Sequence, residues 1–332
     1  MAEENKIRVI GAGSPIVDIL AYVDDDFLLK NISGEKGGME LISEDELKKI
    51  LSLINISKKA CGGSAANTIF AMCRLGAEGS LAGKTGDDEN SLFYKKTLLE
   101  AGGNAENLKT LKNSPTAVSV CMVTPDAART MRTHLGAAMH FSPEDTSSQT
   151  FAGYPLFHTE GYLIFNRDLI THILKTARDA GCIISLDLSS FEVVNASKDF
   201  LPDLLKEYVD IIFANEDEAS AFCNTKDLDK CLEILSQHCK ISALKTGDKG
   251  SLIRSGDSVI KVSPVTCENL VDTTGAGDYW AAGFLYGYLK GLTLEKCGKL
   301  GSFMGAEAVS VLGAELEDDQ WEKIIEYSSK LQ

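Results

Sequence analysis

The densest chemistry in the chain lies in seven residues, Asp272-Thr-Thr-Gly-Ala-Gly-Asp278, which run directly into the apolar stretch Tyr279–Lys290. Gly275 and Gly277 let the backbone turn sharply and approach a ligand with no Cβ in the way. The free amides and positive dipole end of the helix that follows make an anion site there. Such a site suits a transferring phosphoryl group, whose charge sits on its equatorial oxygens. Asp278 falls in the first helical turn, where an ionised carboxylate can take a proton from an attacking hydroxyl. A capping aspartate is the plain alternative. Two glycines, two acids and the hydroxyls of Thr273 and Thr274 within seven residues exceed what a cap needs.

Three further clusters carry weaker signals. Cys61-Gly-Gly-Ser-Ala-Ala-Asn67 opens a helix of small residues. Gly62 and Gly63 expose backbone, and Asn67 offers both a donor and an acceptor, groups suited to sugar hydroxyls. Close packing of the helix start on a sheet explains the same residues equally well. Asn215-Glu-Asp-Glu218 follows a buried strand. Asn with Glu three residues on is a capping box that needs no ligand; the functional alternative is a magnesium site near nucleotide phosphates. Lys245-Thr-Gly-Asp-Lys-Gly250, after another strand, fits a nucleotide-lining loop or a plain turn.

Two nucleotide-binding patterns nearly match and fail. Gly11-Ala-Gly-Ser-Pro-Ile16 has Ile16 where a dinucleotide fingerprint needs its third glycine. Gly79 to Thr85 is one residue short of a P-loop, with Glu78 in the place of the first glycine. The five histidines are scattered, with no HxH or HExxH spacing, which disfavours a zinc hydrolase.

The elements that must position these groups alternate between short apolar strands and amphipathic helices. The pattern predicts strands at Ile7–Ile10, Ser80–Ala82, Cys182–Leu186, Asp210–Ala214 and Ile241–Lys245. It predicts helices at Ser64–Leu75, Asp87–Ala101, Leu169–Ala180, Leu201–Glu207, Asp227–His238 and Asp278–Lys290. This alternation builds a mostly parallel sheet with helices on both faces. Residues 113–135 read as a hairpin turning at Pro125–Asp126, and residues 17–42 as irregular and strand-rich. Both are candidate parts of a small β lid over a ligand site. No Pro- or Gly/Ser-rich linker divides the chain, so residues 1–332 are expected to form a single domain with the lid inserted.

At 332 residues, with 44% hydrophobic and 24% charged residues, the composition is that of a globular protein with a sizeable core. No run of 18 apolar residues and no signal-peptide core is present, so the expectation is a cytoplasmic protein without a membrane partner. Nine cysteines without a CxxC pair fit reduced thiols rather than a disulfide framework. A net charge of −15 disfavours nucleic acid as a partner.

Taken together and in this order, the motifs resemble the ribokinase / phosphofructokinase-B family of carbohydrate and nucleoside kinases. Gly62-Gly63 through Asn67, continued by Gly83-Lys-Thr-Gly-Asp-Asp88, looks like the family's first signature; Asp272–Asp278 looks like its second. The resemblance extends from the opening strand to Ala306–Ala314. It implies a ribokinase-like three-layer αβα fold with a small β lid, ATP and Mg²⁺ as cofactors, and phosphorylation of a primary alcohol. It implies Asp278 as catalytic base and the backbone of Gly275, Ala276 and Gly277 as anion hole. Asp18, Gly63 and Asn67 would hold the acceptor. Asn215 and Glu218 would organise magnesium through water, which on this footing displaces the plain cap. Asp272 and Thr274 would border a monovalent-cation site (K⁺) found in many members. Arg129 would reach the phosphates from the lid, Lys245, Thr246 and Gly247 would flank the nucleotide, and Ala306 would lie beside adenine.

The mid-chain run Asp187-Leu-Ser-Ser-Phe191 lacks the Asn and Arg of the Asp-x-Asn-x-Arg pattern common in ribokinase-like members. With Val23–Phe27 it looks more like the adenosine-kinase branch, although Ser14 stands where that branch usually has Asn. The expectation is therefore an ATP-dependent sugar kinase first, with adenosine as the rival acceptor. Either a monomer or a lid-mediated dimer is compatible with the sequence. A binding protein without catalysis and a dinucleotide-dependent oxidoreductase are the competing classes. The joint presence of Gly275, Gly277, Asp278 and Glu218 speaks against the first, and the failed fingerprint at Gly11 against the second.

Overall fold

Short, largely apolar runs form the central strands, and the amphipathic stretches between them form the crossover helices. The structure, a computed structural model, describes residues 6–126, 128–267 and 269–332. In chain order the strands are β1 (Arg8–Ala12), β2 (Ile16–Tyr22), β3 (Met39–Leu41), β4 (Lys58–Gly62), β5 (Glu78–Thr85), β6 (Leu108–Thr110) and β7 (Ala117–Val123). They continue with β8 (Arg129–His134), β9 (Leu156–Glu160), β10 (Ile183–Asp187), β11 (Ile211–Asn215), β12 (Ile241–Lys245), β13 (Ser251–Ser255) and β14 (Ser258–Val262). Nine of them make the large sheet in the order β14-β13-β12-β11-β10-β9-β1-β5-β6. From β12 to β6 all pairings are parallel, and the β13–β14 hairpin adds an antiparallel edge.

Buried on both faces, the central strands split their side chains between two cores. On one side Phe213 packs edge-on against Trp280 and Phe284 at 5.9 and 5.5 Å. On the other, Ile212 and Ala214 join Leu169, Ile173 and Ala177 from the Arg167–Asp179 helix. The Ala276–Leu289 helix is apolar all round and accordingly buried along most of its length. It lies so close to the Leu294–Ala308 helix that a Cβ on Gly283 would come within 2.9 Å of the Gly301 Cα.

The helices predicted from sequence are present, with boundaries set by their caps. The one expected from Asp87 begins at Glu89 because Asp88 is its N-cap and accepts the Ser91 amide at 3.0 Å. The one expected from Asp278 begins at Ala276.

The second sheet, β3-β8-β7-β2-β4, gathers the two stretches expected to form the small β lid. It extends past the predicted 17–42 and 113–135: β4, Lys-Lys-Ala-Cys-Gly, pairs antiparallel with β2. Two lysines on an edge strand guard against stray pairing but hide the strand from an apolar-pattern search. Within 17–42 a helix, Asp25–Asn31, replaces part of the expected strand because Asp24 caps it through the Phe27 amide. One face of the lid sheet, with Val17, Ile19, Val120 and Met122, is buried in a core with Leu28, Leu47 and Ile50 of the two lid helices. The other face carries Asp18, Ser119, Cys121, Arg129 and Thr133 in register.

Candidate active site

In four neighbouring strands the last residue is polar: Glu160 in β9, Asp187 in β10, Asn215 in β11 and Lys245 in β12. Parallel pairing brings these ends to one edge of the sheet, the usual place for a ligand in an open α/β sheet. A cavity of about 800 Å³ opens there, and Ser64, Asp187, Glu218, Lys245, Gly277 and Asp278 line its polar part. Pro264–Thr266, Trp280, Gly305, Ala306 and Val309 supply a mostly apolar part of the lining, of a kind that suits an aromatic base.

Asp278 is the third residue of its helix, yet it does not cap it. The N-cap is Gly275 in a left-handed conformation (φ +76°), with no side-chain capping bond. A side chain there would be strained and would meet the Ala314 Cβ at 2.7 Å. Asp278 instead turns across to the Ser64–Arg74 helix, accepting Ser64 Oγ at 2.7 Å and Asn67 Nδ2 at 2.8 Å. The Gly275 and Gly277 amides have no backbone partner among the described residues, and Ala276 N makes only a 3.3 Å bond to the Thr273 carbonyl. Burial pushes the Asp278 carboxyl up to about 7, against the pull of Ser64 and Asn67. An acceptor poised near neutral pH beside uncapped amides is equipped to take a proton while the amides stabilise developing negative charge.

Glu218 also occupies the third position of its helix, and there the capping box is complete. Its two oxygens accept the Asn215 amide (2.8 Å) and Asn215 Nδ2 (2.7 Å), while Asn215 Oδ1 accepts the Glu218 amide. Burial, with Asp187 nearby, raises its carboxyl to about 7, and Lys245 opposes the rise. An enclosed carboxylate on the cavity wall whose charge is under-compensated fits a hydrated magnesium ion, with Asn215 and Glu218 as outer partners. Among the described residues no cluster of three or more His, Cys, Asp or Glu side chains could cage a metal directly.

The lid residues take other partners than the resemblance implied. Arg129 Nη1 donates to both Asp272 Oδ2 and Thr274 Oγ1, and its Nε donates to Cys121 Sγ at 3.0 Å. Arg129 is therefore bound to the loop before the anion hole rather than pointing into the nucleotide cavity. Asp272 also accepts the amides of Thr274 (3.0 Å) and Gly313 (2.7 Å). Burial would raise its carboxyl, but these bonds and Arg129 together hold it below the ordinary range. With a guanidinium on both Asp272 and Thr274, these residues do not fit a monovalent cation.

Asp18 projects from the inner lid face, packed so closely on Gly62 that a Cβ there would lie 2.2 Å from its Oδ2. Burial lifts its carboxyl to about 7, with Arg129 pulling the other way. Gly63, at φ +102°, caps the Ser64 helix with its missing side chain turned to the Ser14 carbonyl. Asn67 faces Asp278. Thr246 is buried, donating to the Gly250 carbonyl at 2.9 Å, and lies outside the cavity lining, whereas Gly247 and Ala306 are in it.

Three residues that sequence reasoning did not assign belong to this site. Ser64 grips Asp278. Asp187 grips Lys245 Nζ at 2.6 Å. Glu160, buried and pushed up to about 7 by that burial, accepts the Ser14 and Ala65 amides and so ties the end of β1 to the start of the Ser64 helix. For Asp187 the signal lies in its strand, an acid closing the Ile-Ile-Ser-Leu run; Glu160 closes a mixed run containing His158 and Thr159, and Ser64 opens a helix, so neither stands out locally.

The pfkB family carbohydrate kinase model matches residues 39–321. An adenosine kinase from Sinorhizobium meliloti superposes with a TM-score of 0.87 at 34% identity, covering 96% of this chain and 98% of that one. A probable sugar kinase from Rhizobium etli gives 0.88 at 31%, covering 98% and 99%. A nucleoside kinase of Methanocaldococcus jannaschii is 28% identical over 82% of this chain and 87% of its own length. The chain belongs to the pfkB family of carbohydrate kinases, as an ATP-dependent sugar or nucleoside kinase with the ribokinase-like fold.

Proposed function

We propose that the acceptor is adenosine or a close purine nucleoside and that its 5′-hydroxyl is phosphorylated. The observation that carries the ribose part of this reading is Asp18, the only carboxylate among the described strand residues on the inner lid face, enclosed against Gly62. A carboxylate so placed can accept both hydroxyls of a ribose diol. Similarity to the Sinorhizobium adenosine kinase over nearly the whole chain, and the Asp187–Phe191 run without Asn or Arg, point the same way. The likeness to a probable sugar kinase keeps a free sugar as the second reading.

In this reading the 5′-oxygen attacks the γ-phosphorus of ATP, its proton passes to an Asp278 carboxylate oxygen, and ADP leaves. Ser64 and Asn67 fix that carboxylate. The amides of Gly275, Ala276 and Gly277 receive the charge that develops on the transferring group. Asn215 and Glu218 would hold Mg²⁺ through water, and the bound ion would supply neutralisation of phosphate charge. Gly247 and Ala306 border the nucleotide. Arg129 closes the lid onto the Asp272–Thr274 loop, and no step is routed through a monovalent cation. Cytosolic work fits the reduced cysteines: all nine are free. No described helix is long and apolar enough to cross a membrane.

The test is ADP release over adenosine, inosine, guanosine, ribose and fructose. Adenosine is expected to have a kcat/KM at least about tenfold above any free sugar, the scale set by a site that hydrogen-bonds what the poorer substrate lacks. A free sugar as best substrate would overturn the assignment.

A further inference from the structure

Lys245 ends β12 with its ammonium inside the cavity, and three observations bear on what it does there. It is largely but not fully enclosed, with its side chain 14% exposed, and among the described residues Asp187 Oδ2 at 2.6 Å is its one hydrogen-bond acceptor. An ammonium has three donors, so two remain for the cavity. Asp187 is itself fixed, because its Oδ1 accepts the amide of Ser189 at 2.9 Å and Ser189 holds an uncommon left-handed φ of +67°. The ammonium also lies at the anion-hole turn: a Cβ on Gly277 would stand 3.0 Å from Lys245 Nζ, so the missing side chain leaves room for it.

A buried ion pair is weak evidence for stability, since desolvating both partners cancels much of the attraction. Here the pair also lies among Glu218 and Asp278, an arrangement that favours the charged amine although burial alone opposes it. A fixed cation with spare donors beside free amides is what a phosphoryl group gaining charge in transfer requires. We propose that Lys245 is the cationic member of the anion hole, contacting the transferring phosphoryl oxygens in the transition state, and that Asp187 is the residue that positions it. The proposal rests on the kinase reading of this cavity but not on the identity of the acceptor. It differs from a lysine that merely anchors the nucleotide, which would act equally on bound ATP and on the transition state.

The test combines Lys245→Met, Asp187→Asn and the double variant with steady-state kinetics and thermal melts. Losing one donor of such a hole costs on the order of 10²–10³ in kcat. Lys245→Met should therefore lose at least about 30-fold in kcat, with KM for ATP within about threefold of wild type. Lys245→Met leaves Asp187 buried without its partner, so the single variant is expected to melt early. The double variant removes both charges and should recover the melt while kcat stays low. A kcat loss below that threshold, a loss confined to KM for ATP, or a double variant with wild-type kcat would each overturn the proposal.

Binding supplies a readout independent of turnover. ADP alone should bind Lys245→Met and wild type alike, whereas ADP with aluminium fluoride, a planar mimic of the group in flight, should bind the variant at least about tenfold more weakly. Equal weakening of both ligands rejects the transition-state role. Absence of phosphoryl transfer by wild type to every acceptor would instead overturn the kinase reading on which the proposal rests, whereas transfer by wild type with equal weakening of both ligands in the variant overturns the role of Lys245 alone.

Discussion

Two helices present an acid at the same third position, and the acids do opposite things. Glu218 folds back on its own helix and closes a reciprocal cap with Asn215. Asp278 has no such partner, because Gly275 supplies the cap position without a side chain, and it reaches across to Ser64 and Asn67. The first helix start is satisfied internally and has only its outer surface to offer a hydrated metal. The second keeps its amides open and its carboxylate enclosed. A helix N-terminus becomes a reactive anion site when its capping side chain is absent and its first-turn acid is held from elsewhere.

The largest effect expected from this contrast is at Asp278. Asp278→Asn keeps the shape and one of the two bonds accepted from the Ser64 helix, with Ser64 Oγ able to reverse and accept from the new amide, but it cannot accept a proton. It should lower kcat by about 10²–10⁴ with ATP affinity unchanged. A variant retaining more than half of wild-type kcat would remove Asp278 from the role of base. Next comes the acceptor. A 2′-deoxy analogue should lose at least about tenfold in kcat/KM in wild type, and the penalty should shrink in Asp18→Ala, since both changes delete one contact. Strictly additive losses would mean that Asp18 does not touch that hydroxyl.

Glu218→Gln should behave differently from Asp278→Asn if the two helix starts differ as described. It should raise the Mg²⁺ needed for half-maximal rate and cost roughly 1 kcal/mol of stability, since the cap is real. An unchanged Mg²⁺ curve with the melt lowered would leave Glu218 as a cap alone. The smallest effect is on the melt itself. Asp18, Glu160 and Asp278 have carboxyls raised to about 7 by burial, so the folded chain holds protons that the unfolded chain releases near pH 4. Their stabilising contribution is complete below about pH 4 and is lost as pH rises through about 7. The Tm of the unliganded protein should fall by at least about 2 °C between pH 5 and pH 8. A Tm that rises over this range would contradict the enclosure of these groups.

How much of this was legible in the sequence follows from the range of each interaction. The β12 strand was read at its true bounds, because its apolar run is closed by Lys245 and the turn Thr246–Gly250. The Ala276–Leu289 helix was legible from its unbroken apolar composition, and its reactive start from two glycines spaced around Ala276. Strand β4 and the Asp318–Leu331 helix were not singled out: the one reads as polar, the other as a charged tail. Contacts between distant positions could not be read at all. Arg129 meets Asp272 across 143 residues and Lys245 meets Asp187 across 58, and neither partner's local pattern names the other. The resemblance implied Arg129 at the phosphates and Asp272 beside a monovalent cation; the fold pairs the two with each other.

The central claim is that an enclosed Asp278 with a carboxyl near neutrality takes the acceptor's proton, and the pH dependence of kcat/KM for the acceptor at saturating ATP and Mg²⁺ tests it most directly. The account predicts an acid limb with its midpoint at or above about 7, falling tenfold per pH unit below it, and absent from the residual activity of Asp278→Asn. Full wild-type activity persisting to pH 5.5, or the same limb in the variant, would contradict it.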